Sequence, residues 1–356
     1  MKNKILFFLF LFFFLTSLSL LFAEEKWLIR KNSFPKGEEK LTLGTLTDLE
    51  IMDENIYVVE NHPGFRVLTF TKNGEFQKII GKEGREPGGL AFATEISACD
   101  KEIAIKGDTT FSFFSTDGVY LRRFNAFVMV PSFIYVNDRL YFVAANPNRK
   151  YLIEVYTKEG KFLSEFGEKF IKLHSSHLQK RHPHMAEWFV YTGNLLTDGE
   201  YLYYLNSMFG KAMKFSLDGK KIADADISGI FGEKGKEVKQ ENERYWIKEG
   251  RSNEGLSSSV KSVLFNDAYL CGDKIYILLR WQIKYEEYAA GKEPQCIIKV
   301  LEKNSFELLD EYKIKKSEGE YPNALSVEEK DSNPVFYFTM SVREKSNIVA
   351  EYRREK

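Results

Sequence analysis

The chain has 356 residues, 44% apolar and 29% charged, with 51 basic residues against 51 acidic ones. This is the composition of an ordinary soluble globular protein. It lacks the strongly basic face that nucleic acid wants. Aromatic residues, at 15%, suit many short packed strands.

The chain opens with Lys2 and Lys4, then an apolar run from Ile5 to Ala23 broken only by Thr16, Ser17 and Ser19. A basic start, an apolar stretch and a small residue before Glu24-Glu25 predict a signal peptide over residues 1–23, cleaved after Ala23. The run is also long enough to span a bilayer, so a retained anchor over 5–23 is the alternative. No cysteine near the junction invites a lipid anchor. Either way the rest of the chain, 24–356, is expected outside the cytoplasm, periplasmic or secreted, meeting a membrane only through this segment. Loss of Lys2 and Lys4 would leave a net charge of about −2.

Next comes WLIRKN (Trp27 to Asn32), with strand character, and then a repeating unit, Leu46 to Gly81. The unit begins with DLEIMD, alternating as a half-buried strand does. Asp53-Glu54-Asn55 is a polar turn, and IYVVE reads as a second strand. RVLTFT is a third, Asn73-Gly74 predicts a type I′ hairpin turn, and EFQKIIG is a fourth. Four antiparallel strands in so short a stretch make one blade of a β-propeller. The second strand recurs as EIAIKG, RLYFVAA, YLYYLN, KIYILLRW and VFYFTMSV, and the third as TFSFFS, LIEVYT, AMKFSL, CIIKVLE and IVAEYR. The turn glycines fall at 74, 118, 160 and 219, and the first two gaps, 44 and 42 residues, lie within the usual blade period.

These copies predict an all-β, six-bladed propeller of four-stranded antiparallel blades in one domain. The last copy, IVAEYR, is followed by no fourth strand before Lys356. An unpaired edge there would invite aggregation. The segment Trp27 to Asn32 is therefore expected to supply that strand and close the ring.

The run from Asp48 to Gly167 resembles NHL repeats. IYVVE, RVLTFT, GEFQKIIG and the link KEGREPGG follow that family's order of strands and glycine-rich link. The chain is also similar to uncharacterised secreted six-bladed propellers of bacteria. The resemblance implies a fold. Such families mostly bind proteins, peptides or RNA, and a few members are enzymes, so it implies no single activity. Expected export removes RNA.

Cys99, Cys271 and Cys296 form no disulfide framework. A hairpin centred near Gly291 would set Cys296 opposite about Glu286, and small buried thiols are expected. No G-x-S-x-G, H-E-x-x-H, C-x-x-C or Walker-type loop is present.

In an up-and-down blade, inter-blade links and the loops between second and third strands open on one face. The remaining turns open on the other. All three large insertions, Glu168 to Glu187, Gly229 to Val260 and Gln282 to Gln295, belong to the first class, and long loops on a rigid scaffold carry function. The first holds His174, His177, His182 and His184, a candidate zinc or copper site or simply a polar lid, and is followed by Trp188, a candidate binding residue. The second suits a short rim helix, with Val238, Tyr245, Trp246 and Ile247 as docking side chains. The third follows Arg280 and Trp281 and carries Tyr285 and Tyr288, residue types that dominate binding hot spots. These residues predict a non-catalytic module that binds a peptide, protein or glycan at the loop-rich mouth, with no cofactor. The alternative is a metal-assisted hydrolase or lyase using the histidines or channel residues.

Overall fold

The computed structural model describes residues 25–35, 41–107, 109–126, 130–173, 183–249, 263–280, 294–330, 333–343 and 346–355. The signal or anchor segment lies outside them. Among the described residues no helix is long and apolar enough to cross a membrane.

β1 (Trp27–Phe34) comes first. β2 (Thr45–Met52), β3 (Asn55–His62), β4 (Arg66–Thr71) and β5 (Phe76–Ile80) form an antiparallel sheet in chain order. The glycine-rich link after it holds a small parallel pair, β6 (Lys82–Glu83) and β7 (Gly89–Leu90). β8 (Glu95–Cys99), β9 (Glu102–Lys106), β10 (Thr110–Ser115) and β11 (Tyr120–Asn125) repeat the arrangement. So do β12 (Phe133–Val136), β13 (Arg139–Val143), β14 (Tyr151–Thr157) and β15 (Phe162–Glu168). Helix α1 (Pro183–Val190) precedes the fourth such sheet, β16 (Gly193–Thr197), β17 (Tyr201–Asn206), β18 (Lys211–Ser216) and β19 (Lys221–Asp226). A 3₁₀ turn (Ser228–Phe231), helix α2 (Gly232–Glu243) and a π-helical turn (Arg244–Glu249) follow. The rim helix expected there is present.

β20 (Asp267–Cys271), β21 (Lys274–Arg280), β22 (Cys296–Glu302) and β23 (Leu308–Lys315) are again antiparallel neighbours. β24 (Glu320–Lys330), β25 (Asn333–Val342) and β26 (Ile348–Arg354) complete the chain. These last strands share one eight-stranded sheet with β1, in the order β20-β21-β22-β23-β1-β26-β25-β24. The molecule is thus all-β and propeller-like, with four separate four-stranded sheets and one eight-stranded sheet among the described residues.

β1 joins the two halves of the eight-stranded sheet. It pairs antiparallel with β26, from Leu28↔Arg354 to Phe34↔Val349, with a bulge between Arg30 and Asn32. It also runs parallel to β23 through Trp27↔Lys313. Leu28 and Phe34 are buried. The expected edge-covering role of Trp27 to Asn32 is observed, and the strand runs on to Phe34. The first strands β2, β8, β12, β16, β20 and β24 touch in sequence, and β24 touches β2. At that junction Leu49, Val58 and Phe70 pack with Ala324, Val335 and Tyr337. Opening it would expose this core at about 25 cal/mol per Å² of apolar surface.

The outer hairpin turns repeat one construction. Gly74, Gly118, Gly160 and Gly219 have φ of 89°, 92°, 85° and 92°. A Cβ on Gly74 would lie 2.0 Å from Phe34 Cδ1, one on Gly160 2.6 Å from Phe124 Cγ, and one on Gly219 2.6 Å from Phe166 Cδ1. Phe124 and Phe166 lie near the end of the outermost strand of the preceding sheet. Phe34 stands in the same relation to Gly74, so β1 occupies an outer-strand position.

These turns are not the expected type I′. Asn73, Asp117, Glu159 and Asp218 are absent from the positive-φ residues. The Gly74 N–H donates to Thr71 O at 2.8 Å, and Gly118, Gly160 and Gly219 do the same to Ser115, Thr157 and Ser216. The ladder slips beside each turn. The loop is one residue longer than type I′ and closes on a left-handed glycine beside a bulge. The Thr or Ser at its start favours this form. Thr71 Oγ1 accepts the Glu75 N–H, Ser115 Oγ the Val119 N–H and Ser216 Oγ the Lys220 N–H. A pair of positive φ values occurs instead at Asn137 and Asp138.

Cys296 is buried, whereas Cys99 and Cys271 are partly exposed. Cys296 lies opposite Arg280 rather than Glu286, since the β21–β22 register is centred near residue 288 and not 291.

Candidate functional site: the channel and its loop-bearing mouth

Alternation in the first strands sorts side chains between two environments. Leu49, Ile96, Phe133 and Leu195 enter the cores between sheets. Their neighbours Asp48, Glu95, Ser132 and Asn194 line a central cavity of about 470 Å³, with Glu50, Asp267 and Tyr269.

Polar side chains stitch each first strand to the next around this cavity. Asp48 Oδ2 accepts the Ile96 N–H at 2.8 Å. Glu95 Oε1 accepts from Ser132 Oγ and the Phe133 N–H, and Ser97 Oγ from the Tyr135 N–H. Ser132 Oγ accepts the Leu195 N–H at 3.0 Å. Asn194 Nδ2 donates to Asp267 Oδ1 at 2.6 Å, and Asp267 Oδ2 accepts the Leu325 N–H at 2.7 Å. Ser326 Oγ closes the circle by donating to Leu49 O at 2.9 Å. Tyr269 also donates to Glu50 Oε1 at 3.1 Å, bridging β20 to β2 past β24.

The channel is electrically lopsided. Lys106 pairs with Glu95 and donates to Val130 O, while Asp48, Glu50 and Asp267 have no cationic partner among the described residues. Burial raises the Asp48 carboxyl well above its usual range, and Asp267 and Glu95 add to it. Burial likewise lifts Asp267, against bonds from Leu325, Ala268 and Asn194. It pushes Glu50 up to about 7, against Tyr269's hydrogen bond.

The described parts of the first two insertions gather where the first strands begin. In α1, His184 Nδ1 lies 3.0 Å from Ala145 O, in the β13–β14 loop. Glu187, 8% exposed, is bonded to Lys169, whose Nζ also donates to Asn146 O at 2.6 Å. Burial raises the Glu187 carboxyl despite that lysine. In α2, Asn242 Nδ2 donates to Met208 O at 2.7 Å, in the β17–β18 loop. The Leu264 N–H donates to Ser207 O in the same loop. The Phe189 ring of α1 lies 6.0 Å from Trp246, so the insertions meet.

Of the solved structures similar to this chain, one is a protein of Bacteroides fragilis named for inferred export. It has a TM-score of 0.58 and 12% identity, over 92% of this chain and 96% of that one. The chain has a β-propeller fold. A duf4221-family member from Bacteroides vulgatus gives TM-score 0.49 and 12% identity, over 93% and 99% of the two chains. A streptogramin B lyase gives 0.48 and 11%, over 93% and 88%. No protein family's sequence profile matches the chain, and no curated protein does.

The residues singled out from sequence fall in three places. Trp246 is 4% exposed and docks the π-helical turn against Phe189. Trp188 is half-buried with its ring 5.0 Å from Phe189. Arg280 is half-buried at the end of β21, with Nη1 donating to Asn323 Oδ1 at 2.9 Å and its N–H to Asn266 Oδ1 at 2.7 Å. Asn266 and Asn323 line the channel, so Arg280 reaches its mouth. Trp281, Tyr285, Tyr288, His174, His177 and His182 lie outside the described residues. His184 is described and exposed, and no cluster of His, Cys, Asp and Glu suited to a metal occurs among the described residues.

The channel carboxylates are the residues sequence reasoning missed. Asp48 and Glu50 read there as the solvent side of a half-buried strand. A signal exists in the paired phrases TDLEI and NDAYL, each setting an aspartate before an apolar residue at the start of a first strand.

Proposed function

We propose that this chain is an exported, non-catalytic binding propeller that takes a peptide, protein or glycan at the loop-bearing mouth of its channel. In this reading the eight-stranded sheet counts as two blades, β20–β23 and β24–β26 with β1. The ring is then six-bladed and NHL-like, spans 24–356 as one domain, and follows a signal peptide over 1–23. The N-terminal apolar run supports export to the periplasm or beyond, as does the name of the Bacteroides fragilis protein. No cofactor is part of the reading.

The observation that carries it is the gathering of α1, α2 and the β13–β14 and β17–β18 loops at one end of the channel. Among the described residues the other end has only short turns. The channel groups are meanwhile engaged in bonds to neighbouring backbone, a stitching role. Arg280 and Trp188 would contact the ligand. Glycan and peptide arrays probed with residues 24–356 test this. A ligand held by the wild type and lost in Arg280→Ala and Trp188→Ala, both still folded, is expected. Retention by both variants contradicts the assignment.

A further inference from the structure

The carboxylates of the channel are not spread evenly around it. Asp48 and Glu50 lie on β2 and Asp267 on β20, the strands flanking β24. β24 is where the circle joins end to beginning. It is held from one side by Asp267, through the Leu325 N–H, and from the other by Ser326 Oγ on Leu49 O.

Three partly buried carboxylates in one cavity, without a cation among them, cannot all ionise cheaply, since desolvation and mutual repulsion both oppose charge. Hydrogen bonding decides which keeps its charge. Asp267 accepts three bonds, from Leu325 N–H, Ala268 N–H and Asn194 Nδ2. Asp48 accepts two, from Leu49 and Ile96 N–H. Glu50 accepts one side-chain bond, from Tyr269, with a weaker contribution from Ile51 N–H. Donors aimed at a carboxylate favour its ionised form, so by donor count Glu50 is the one least supported as an anion.

The other groups facing it do not supply a countercharge. Glu95 on β8 is taken up with Lys106 from β9, and Glu328 on β24 pairs with Lys72. β20 adds Tyr269 and Cys271, β3 Tyr57 and β25 Tyr337, all neutral at ordinary pH. β12 and β16 offer Ser132 and Asn194. Arg280 on β21 donates to Asn323.

We propose that Glu50 is the proton-bearing member of a carboxylate clasp that holds β24 between β2 and β20, and that loss of its proton loosens this junction. Burial raises Asp48 and Asp267 along with Glu50, so the native state binds at least one more proton than the unfolded chain between the ordinary carboxylate range and neutrality, and stability falls as pH rises through that window. The upward push on Glu50 to about 7 puts the end of the loss near neutrality. This is a sensor of the kind an exported protein could use on moving between compartments of different acidity.

The test is thermal unfolding from pH 5 to pH 8 of wild type, Glu50→Gln and Asp267→Asn. Glutamine imitates the neutral acid. Its melting temperature should match the wild type at pH 5 and exceed it at pH 8 by roughly 2–4 °C. Asp267→Asn should melt lower at both pH values, because an amide cannot accept all three bonds. Two further readouts apply at neutral pH. The carbonyl stretch of a protonated carboxyl should be present in wild type and missing in Glu50→Gln. Amide exchange, corrected for its intrinsic pH dependence, should quicken with pH in β24 but not in β13. Identical pH slopes for wild type and Glu50→Gln, or no protonated-carboxyl band lost in the variant, would overturn the proposal. Should Glu50→Gln not fold, the band and the β24 exchange of wild type alone decide it.

Discussion

The two ends of the channel are built on different plans. The turn end repeats one short device, a Thr or Ser whose hydroxyl holds the far side of a loop closed by a left-handed glycine. The link end repeats nothing: a parallel pair at Lys82–Leu90, helix α1 and helix α2 occupy the first, third and fourth links between sheets. A structure specified by local sequence can be copied from blade to blade. One specified by what it packs against is free to diverge, and that freedom is where recognition can be added without disturbing the ring.

The largest expected effect falls on the strand that makes the turn end continuous. Deleting β1 would bare the edge of β26 and remove Leu28 and Phe34 from the core, and cooperative unfolding should be lost or replaced by aggregation. Phe34→Ala keeps the strand and should cost about 3–5 kcal/mol in denaturant melts. If deletion of β1 left a normal transition, it would not be an integral outer strand.

Next come the glycines. Gly74→Ala adds a Cβ 2.0 Å from Phe34 Cδ1 at φ 89°, and about 2–4 kcal/mol of destabilisation is expected from overlap and backbone strain together. Gly199→Ala meets nothing within 4 Å at φ 88° and should lose only the backbone part, about 1 kcal/mol. Equal losses would mean that packing against the preceding sheet is not what fixes the turn.

The acid response should separate turn end from channel. Asp198 is opposed by burial, but bonds from Lys303, the Tyr201 N–H and Tyr203 hold it down at about 2. Its contribution is present above the ordinary aspartate range and is lost as pH falls toward 2, the opposite sign to Glu50. Asp198→Asn should therefore flatten the acid limb of the stability profile and leave the neutral limb alone. Smallest of all, Thr71→Ala or Ser216→Ala should cost under about 1 kcal/mol, since these exposed bonds compete with water.

The contrast between the ends also explains what could be read from sequence. Strand alternation and the recurring glycines at 74, 118, 160 and 219 are local signals, and they placed the sheets and the need for a closing strand. The type I′ expectation from Asn73-Gly74 fails because the Thr71 hydroxyl selects the longer loop. The channel site was not legible for a different reason. Alternation in DLEIMD says that Asp48 and Glu50 share a side of the strand, but whether that side meets bulk water or other carboxylates depends on β20, more than 200 residues away. Trp246 illustrates the same limit: its residue type suits a binding surface equally well as a buried anchor.

The claim that recognition belongs to the link end is tested most directly by a two-ended substitution set. One arm carries Trp188→Ala with Arg280→Ala, and the other Lys158→Ala with Lys303→Ala at the turns. Both are measured by titration against whichever glycan or peptide the wild type retains on an array. Binding should vanish in the first arm and persist in the second. Loss confined to the turn-end arm, with both proteins folded, would contradict the account.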